Sequence, residues 1–209
     1  MRFFAILFAV LFVVSFPPDS RAQEVVPELE EEKPDLPESE PLHILPGEEA
    51  QNSLDALFTK LRQQTNATKA KNTARAIRMR LVESDSDTVN LLMNWSAQAM
   101  KDKNNALAED LLNQVTLLAP DYAEGWNRRA TLYYQMSEYG KSISDIERTL
   151  QLEPRHFGAL SGLAIILKRS GSDRKAMEAW YQVLEIYPAN DAAQKAVIDL
   201  EEELAGRGS

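Results

Sequence analysis

Pro120, Pro154 and Pro188 fall 34 residues apart, and the residues around them keep the same step. Ala108, Ser142 and Ala176 are small. Leu112, Ile146 and Trp180 are large and apolar, and Val115, Thr149 and Val183 are mid-sized. Leu118, Leu152 and Ile186 each stand two residues before a proline. A fixed period of this length restricts the chain to a repeat architecture, in which one supersecondary unit is copied and stacked. Within each period the apolar residues recur at helical spacing in two blocks, so the unit is a helix hairpin. The small residue of the second helix lets its backbone approach the first, and the large residue four positions on fills the space beside it. Proline lacks a backbone N–H and belongs just past the helix end. Such a hairpin cannot bury both of its faces alone; stacking completes its core.

The register predicts hairpins over 89–122, 123–156 and 157–190. Two further segments flank them. Residues 51–88 hold "SLDALFTKLRQQ" and "NTARAIRMRLVES", read as a degenerate leading helix pair. Residues 191–205, "DAAQKAVIDLEEELA", are read as a capping helix whose polar outer face suits the end of an array. The predicted fold class is all-α, a solenoid of stacked antiparallel helix hairpins.

The clearest unit, "AEGWNRRATLYYQMSEYGKSISDIERTLQLEPRH", resembles the tetratricopeptide repeat (TPR). Trp126, Ala130, Tyr133, Ser142, Ile146 and Pro154 stand at the positions of its motif. Leu160, Leu163, Ala164, Leu167, Gly171, Ala176, Trp180, Val183 and Pro188 match in the next unit, and Leu92, Ala108, Leu112, Val115 and Pro120 in the preceding one. The resemblance covers about half the chain. Ala99 replaces a preferred tyrosine, and Arg129 occupies a usual leucine position, from which it is expected to snorkel.

The resemblance implies that first helices line a concave surface that grips a partner segment. Met93, Asn94, Ala97, Met100, Asn127, Arg128, Thr131, Tyr134, Ser161, Ile165 and Lys168 are the groove residues it predicts. Some family members clamp a terminal carboxylate with lysines and asparagines. Asn94 and Arg128 fall at two clamp positions, but Thr59 and Glu124 replace the lysines, so that specificity does not carry over.

The ends of the chain bear on its compartment. Met1–Ala22 combines Arg2, an apolar run from Phe3 to Phe16 and small residues before Gln23, the pattern of a cleaved secretory signal. The alternative is an uncleaved anchor at the inner membrane. Residues 23–50 carry ten acidic residues against Lys33 alone, with five prolines, and are read as a disordered acidic linker. The formal net charge of -9 is therefore concentrated outside the repeats. The chain has no cysteine, which excludes disulfides, thiolate metal sites and thiol catalysis, and fits a bacterial periplasmic protein.

Nothing in the sequence calls for catalysis. His43 lies in the linker and His156 in a repeat turn, where a histidine is solvated or packs a helix. There is no glycine-rich phosphate loop, zinc-protease motif or nucleophile elbow, and no metal or cofactor is expected. Lys60, Arg62, Lys69, Lys71, Arg75, Arg78 and Arg80 form a run without acids, read as a solvated face; weak contact with an anionic membrane surface is the sharper alternative. The export signal argues against nucleic acid. The function expected is a non-catalytic interaction module or scaffold in the bacterial envelope with a protein or peptide partner. An anchored accessory factor of an envelope assembly machine, serving outer membrane, cell wall or cytochrome maturation, is the alternative.

Overall fold

A computed structural model of the chain describes residues 53–206; the expected signal and acidic linker lie outside these residues. Nine α-helices follow one another there, with no strand among the described residues. They are α1 (Leu54–Gln63), α2 (Ala67–Val82), α3 (Asp87–Lys101), α4 (Asn105–Leu118), α5 (Ala123–Gln135), α6 (Tyr139–Leu152), α7 (Phe157–Arg169), α8 (Asp173–Ile186) and α9 (Asp191–Gly206). The pairs α3–α4, α5–α6 and α7–α8 are helix hairpins, and α9 follows the last of them. No helix among the described residues is long and apolar enough to cross a membrane.

The period is visible in the turns as well as in the core. Lys103, Ser137 and Gly171 have φ of 58, 63 and 76°, the left-handed region, and are 34 residues apart. Each ends a first helix in the same way. The next residue's N–H reaches back five residues, Asn104 to Ala99, Glu138 to Tyr133 and Ser172 to Leu167, at 2.8–2.9 Å. The left-handed residue donates three back, to Met100, Tyr134 and Lys168. This paired pattern satisfies carbonyls that a helix C-terminus otherwise leaves open. Only the third copy uses glycine, the residue that adopts this conformation without steric cost.

The small positions do what their size allows. Ala108, Ser142 and Ala176 are fully buried, and the Ser142 hydroxyl donates to the Ala130 carbonyl at 2.8 Å, tying α6 to α5. Leu112, Val115, Ile146, Thr149, Trp180 and Val183 are buried beside them. Stacking is equally close. A Cβ on Gly125 of α5 would lie 2.7 Å from the Val115 side chain of α4, so the second hairpin sits directly against the first.

Arg129 does not snorkel. It faces the preceding hairpin and crosses between helices. Its guanidinium forms a two-pronged bond with Asp145 of α6, 2.7 and 2.8 Å, and donates to Asn113 and Thr116 of α4, both at 2.9 Å. It also lies 4.8 Å from the Trp126 ring centroid. A planar guanidinium offers five donors in a fixed fork, which is why one arginine can serve two helices. Its equivalents 34 residues either way show the alternative. The pair Arg129/Asp145 of repeat 2 corresponds to Trp95/Leu111 in repeat 1 and Leu163/Ala179 in repeat 3.

The leading pair exists, but it does not stack ahead of repeat 1. Leu57, Phe58 and Leu61 of α1 and Ala70, Ala74 and Ile77 of α2 share a core with Phe157, Ile186 and Tyr187 of the last repeat, separate from the α3–α4 core. Arg155, in the turn before α7, bonds Asp55 at 2.7 Å and lies 4.3 Å from the Phe58 ring centroid. Arg78 lies over the Phe157 ring at 5.8 Å. The pair thus covers the edge of repeats 2 and 3 where the proline turns lie. All seven basic residues of its predicted run are exposed.

Two stability predictions follow the register. Gly171→Ala should lower unfolding free energy by about 1 kcal/mol, whereas Ser137→Gly should raise it by ~0.5 kcal/mol, because only the first forces a Cβ into the left-handed region. Denaturant melts read both. Arg129→Leu alone strands the buried Asp145 carboxylate and should cost about 3 kcal/mol; adding Asp145→Ala, which installs the repeat 3 pairing, should recover most of it.

Candidate functional site

A groove runs between the first helices of repeats 2 and 3, with the second helix of repeat 2 as its floor. Its volume is about 230 Å³. Asn127, Thr131 and Tyr134 line one side, on successive turns of α5. Ser161 and Ile165 of α7 line the other, and Ile146 lies beneath. The groove exists because α7 is thin there. Gly158 and Gly162 stand one turn apart in its wall, and a Cβ on Gly162 would meet the Ile146 side chain at 3.5 Å. The surface is chiefly apolar, with amide and hydroxyl groups at the rim, the makeup of a site that takes an apolar anchor and orients it by a few polar contacts. Ile165 is 42% exposed, an apolar side chain left open to solvent at the groove lip.

Five predicted groove residues therefore converge: Asn127, Thr131, Tyr134, Ser161 and Ile165. The other six do not. Met93 is 2% exposed and belongs to the core of the first hairpin, with Met100 packed against the same core. Its place on the inner face is taken up by closing the α3–α4 interface, so it is corrected from groove to core. Lys168 is drawn away to α9, where its ammonium pairs with Glu203, and it also lies 3.5 Å from Asp173. It ties the last repeat to the cap instead of lining the groove. Asn94 and Ala97 lie on α3, exposed and half-buried, outside this cavity. Gly158 and Gly162 were not predicted. Their spacing of four in "FGALSGLA", which opens one stripe of a helix surface, was the available signal.

Arg128 belongs to an adjoining cluster around Glu124. Glu124 is 8% exposed in the first turn of α5, where the helix N-terminus favours an anion. Its carboxylate accepts from Asn127 at 2.9 Å and Arg128 at 3.3 Å, and lies 3.1 Å from His156 Nε2. His156 is buried, and its Nδ1 accepts the Ala159 N–H at 3.0 Å, capping α7. An Nδ1 that accepts carries no proton, so Nε2 holds the hydrogen and donates it to Glu124. Burial pushes the Glu124 carboxyl upward. The hydrogen bond from His156, the charge of Arg128 and the Asn127 amide outweigh it and hold the carboxyl below its ordinary value. The cluster is a strut between the first helices of repeats 2 and 3.

The leading hairpin closes this end. Arg78, Leu81 and Val82 of α2 face Glu124, Arg128 and Phe157 across a second cavity of about 220 Å³, which shares Asn127 and Gly158 with the groove. The Tyr122 hydroxyl donates to the Val82 carbonyl at 2.5 Å and pins α2 there.

No protein-family model matches the chain. A TPR repeat-containing protein of Rhizobium etli is 50% identical over 153 residues, covering 73% of this chain and 75% of that protein. Small glutamine-rich tetratricopeptide repeat-containing protein 2 of Saccharomyces cerevisiae is 25% identical, and the match covers 34% of it. Among solved structures, the first TPR of Spaghetti (RPAP3) bound to the HSP90 peptide SRMEEVD superposes with a TM-score of 0.55 at 20% identity, covering 58% of this chain and 96% of that one. The MamA protein gives 0.51 at 17%, covering 74% and 82%.

The Glu124 strut sets a pH dependence. A carboxyl held below its ordinary value stabilises the fold fully above that value and loses the contribution as pH falls through its folded value. Wild type should therefore exceed Glu124→Gln in stability near neutrality, and the gap should close as the pH falls through and below the ordinary carboxylate range. Thermal melts of both proteins across that range check it; a gap that stays constant contradicts the strut.

Proposed function

The chain belongs to the tetratricopeptide repeat family, and from that premise we propose that it is a non-catalytic protein-binding module whose groove between α5 and α7 takes an apolar side chain of a partner segment. The observation that carries this reading is the groove itself. Five residues predicted for partner contact meet around an apolar cleft that no described side chain fills. Two of the similar solved structures are complexes, Spaghetti with an HSP90 peptide and the TPR2B domain of yeast Sti1 with pHsp70, the latter at a TM-score of 0.52.

The mode of binding in this chain differs in charge. Glu124 stands where a carboxylate clamp would carry a lysine, and Arg128, at a second clamp position, is engaged with it. The charge of the site is balanced internally, so an acidic peptide end finds no free pair of cations on α5. Apolar anchoring, oriented by Asn127, Thr131 and Ser161, is the recognition left. Tyr134 at the lip suits it, since an aromatic ring gives large contact area for little lost freedom. Our reading also takes the chain outside the cytoplasm, into the envelope, on the strength of Met1–Ala22. An N-terminus at Gln23 in the isolated protein supports a cleaved signal, and a retained Met1 supports the anchored form.

Gly162→Leu fills the groove from within, and Ile165→Asp places a charge at its lip. Ile165 is exposed at the lip, whereas a side chain at 162 extends over Ile146, so unchanged helical content is required of both variants. Affinity capture from envelope extract by wild type and by each variant tests the reading. Loss of the same partner from both variants, with helical content kept, is the expected result; equal capture by all three proteins refutes the groove.

A further inference from the structure

Helix α2 of the leading hairpin buries one stripe and leaves the opposite one on the surface. Ala70, Thr73, Ala74 and Ile77 are its buried residues, at i, i+3, i+4 and i+7. At about 100° per residue, the line opposite them passes through Thr68, Asn72, Arg75 and Met79, and all four are exposed. Met79 is 62% exposed, and Val82, one turn on, 38%. Bases flank this crest on both sides. Lys71 and Arg78, about two turns apart, form one shoulder, and Lys69 and Arg80, about three turns apart, form the other. Lys60 and Arg62 extend the charge into the last turn of α1.

The positive charge is local and largely unspent. No acid occurs between Asp55 and Glu83, whereas residues 84–206 carry 19 acids against 12 bases. Among the described residues, the one ion pair made by an α2 base is that of Arg80 with Glu83, at 3.7 Å on the surface.

We propose that the outer face of α2 rests on an anionic phospholipid surface, with Met79 entering the headgroup layer and the two shoulders meeting lipid charge. Geometry selects this partner. A groove or a peptide site draws its cations toward one point, but here they diverge on either side of a convex helix. A flat anionic surface meets both shoulders at once, and the long lysine and arginine stems reach it past the crest. An apolar side chain at the centre of a basic helical face is the pattern of a helix that lies in a membrane interface. The export expected of Met1–Ala22 favours lipid over nucleic acid. The proposal makes no use of the groove, so each stands or falls without the other.

Vesicle sedimentation tests it, with the chain beginning at Gln23, which keeps every described residue. This protein should pellet with vesicles of phosphatidylcholine containing one third phosphatidylglycerol, and stay free with phosphatidylcholine alone. Lys71→Gln/Arg75→Gln on one side and Lys69→Gln/Arg80→Gln on the other should each weaken binding about 20-fold, with circular dichroism unchanged. The chain has no cysteine, so Met79→Cys takes a single environment-sensitive fluorophore, whose emission should rise and shift to the blue on the anionic vesicles. Failure of the unmodified sequence to pellet with them overturns the proposal, as does a label that does not respond. Loss from one pair of substitutions only points to a one-sided protein partner and overturns it too. So does equally tight binding to duplex DNA at the same salt.

Discussion

Each hairpin of this chain has more apolar surface than one partner helix can cover, and the rest of the structure follows from how that surface is met. Repeat 2 meets repeat 1 by close approach at Gly125 and by the Arg129 fork, while repeat 3 meets repeat 2 through small and aliphatic side chains. These are two solutions to one geometric requirement. The polar one is specific, because a guanidinium bonded to Asp145, Asn113 and Thr116 is satisfied only in one register. The aliphatic one tolerates more but adds burial at roughly 25 cal/mol per Å². A charge held off solvent, as Arg129 is, costs desolvation that the bonds return, so its value lies in fixing register.

The groove depends on that stack. It lies between α5 and α7, whose separation is set where they meet α6 beneath them and at the Glu124–His156 strut at one end. His156 does two things with two nitrogens. Nδ1 accepts the Ala159 N–H in the first turn of α7, and Nε2 holds Glu124, which in turn orders Asn127 at the groove rim. A site assembled this way is preorganised, so a ligand does not bear the entropy of arranging it. The leading hairpin fixes the same end from outside through Val82 and Tyr122.

Much of this was legible in the sequence, for a physical reason. A 34-residue period constrains every repeat by every other, so the hairpin unit, the buried small positions and the turn at His156 follow from spacing, while helix ends do not: two of the helices begin at Ala67 and Asp87, ahead of the expected 72 and 89. What escaped was whatever breaks the period. Lys103 and Ser137 occupy a left-handed turn position that composition marks only at Gly171. The docking of α1 and α2 was invisible because an amphipathic helix shows that it must be covered, not by which neighbour. Met93 and Lys168 were placed by family position. One was claimed by the core and the other by Glu203 of the cap, and those choices rest on side chains far away in sequence.

The three copies of one position pair show how a repeat array is specialised without changing its fold. Trp95/Leu111, Arg129/Asp145 and Leu163/Ala179 occupy equivalent places on the stacking face. In the middle of the array the pair is ionic and sealed by its neighbour. Near the capped end it is aliphatic and sealed by repeat 2. At the head it is aromatic, and Trp95 is half open. Tryptophan brings the largest apolar area of any side chain together with an N–H that needs a partner, and its exposure carries a cost in solubility. Its ring stays half open because no described hairpin stacks ahead of repeat 1 to seal it.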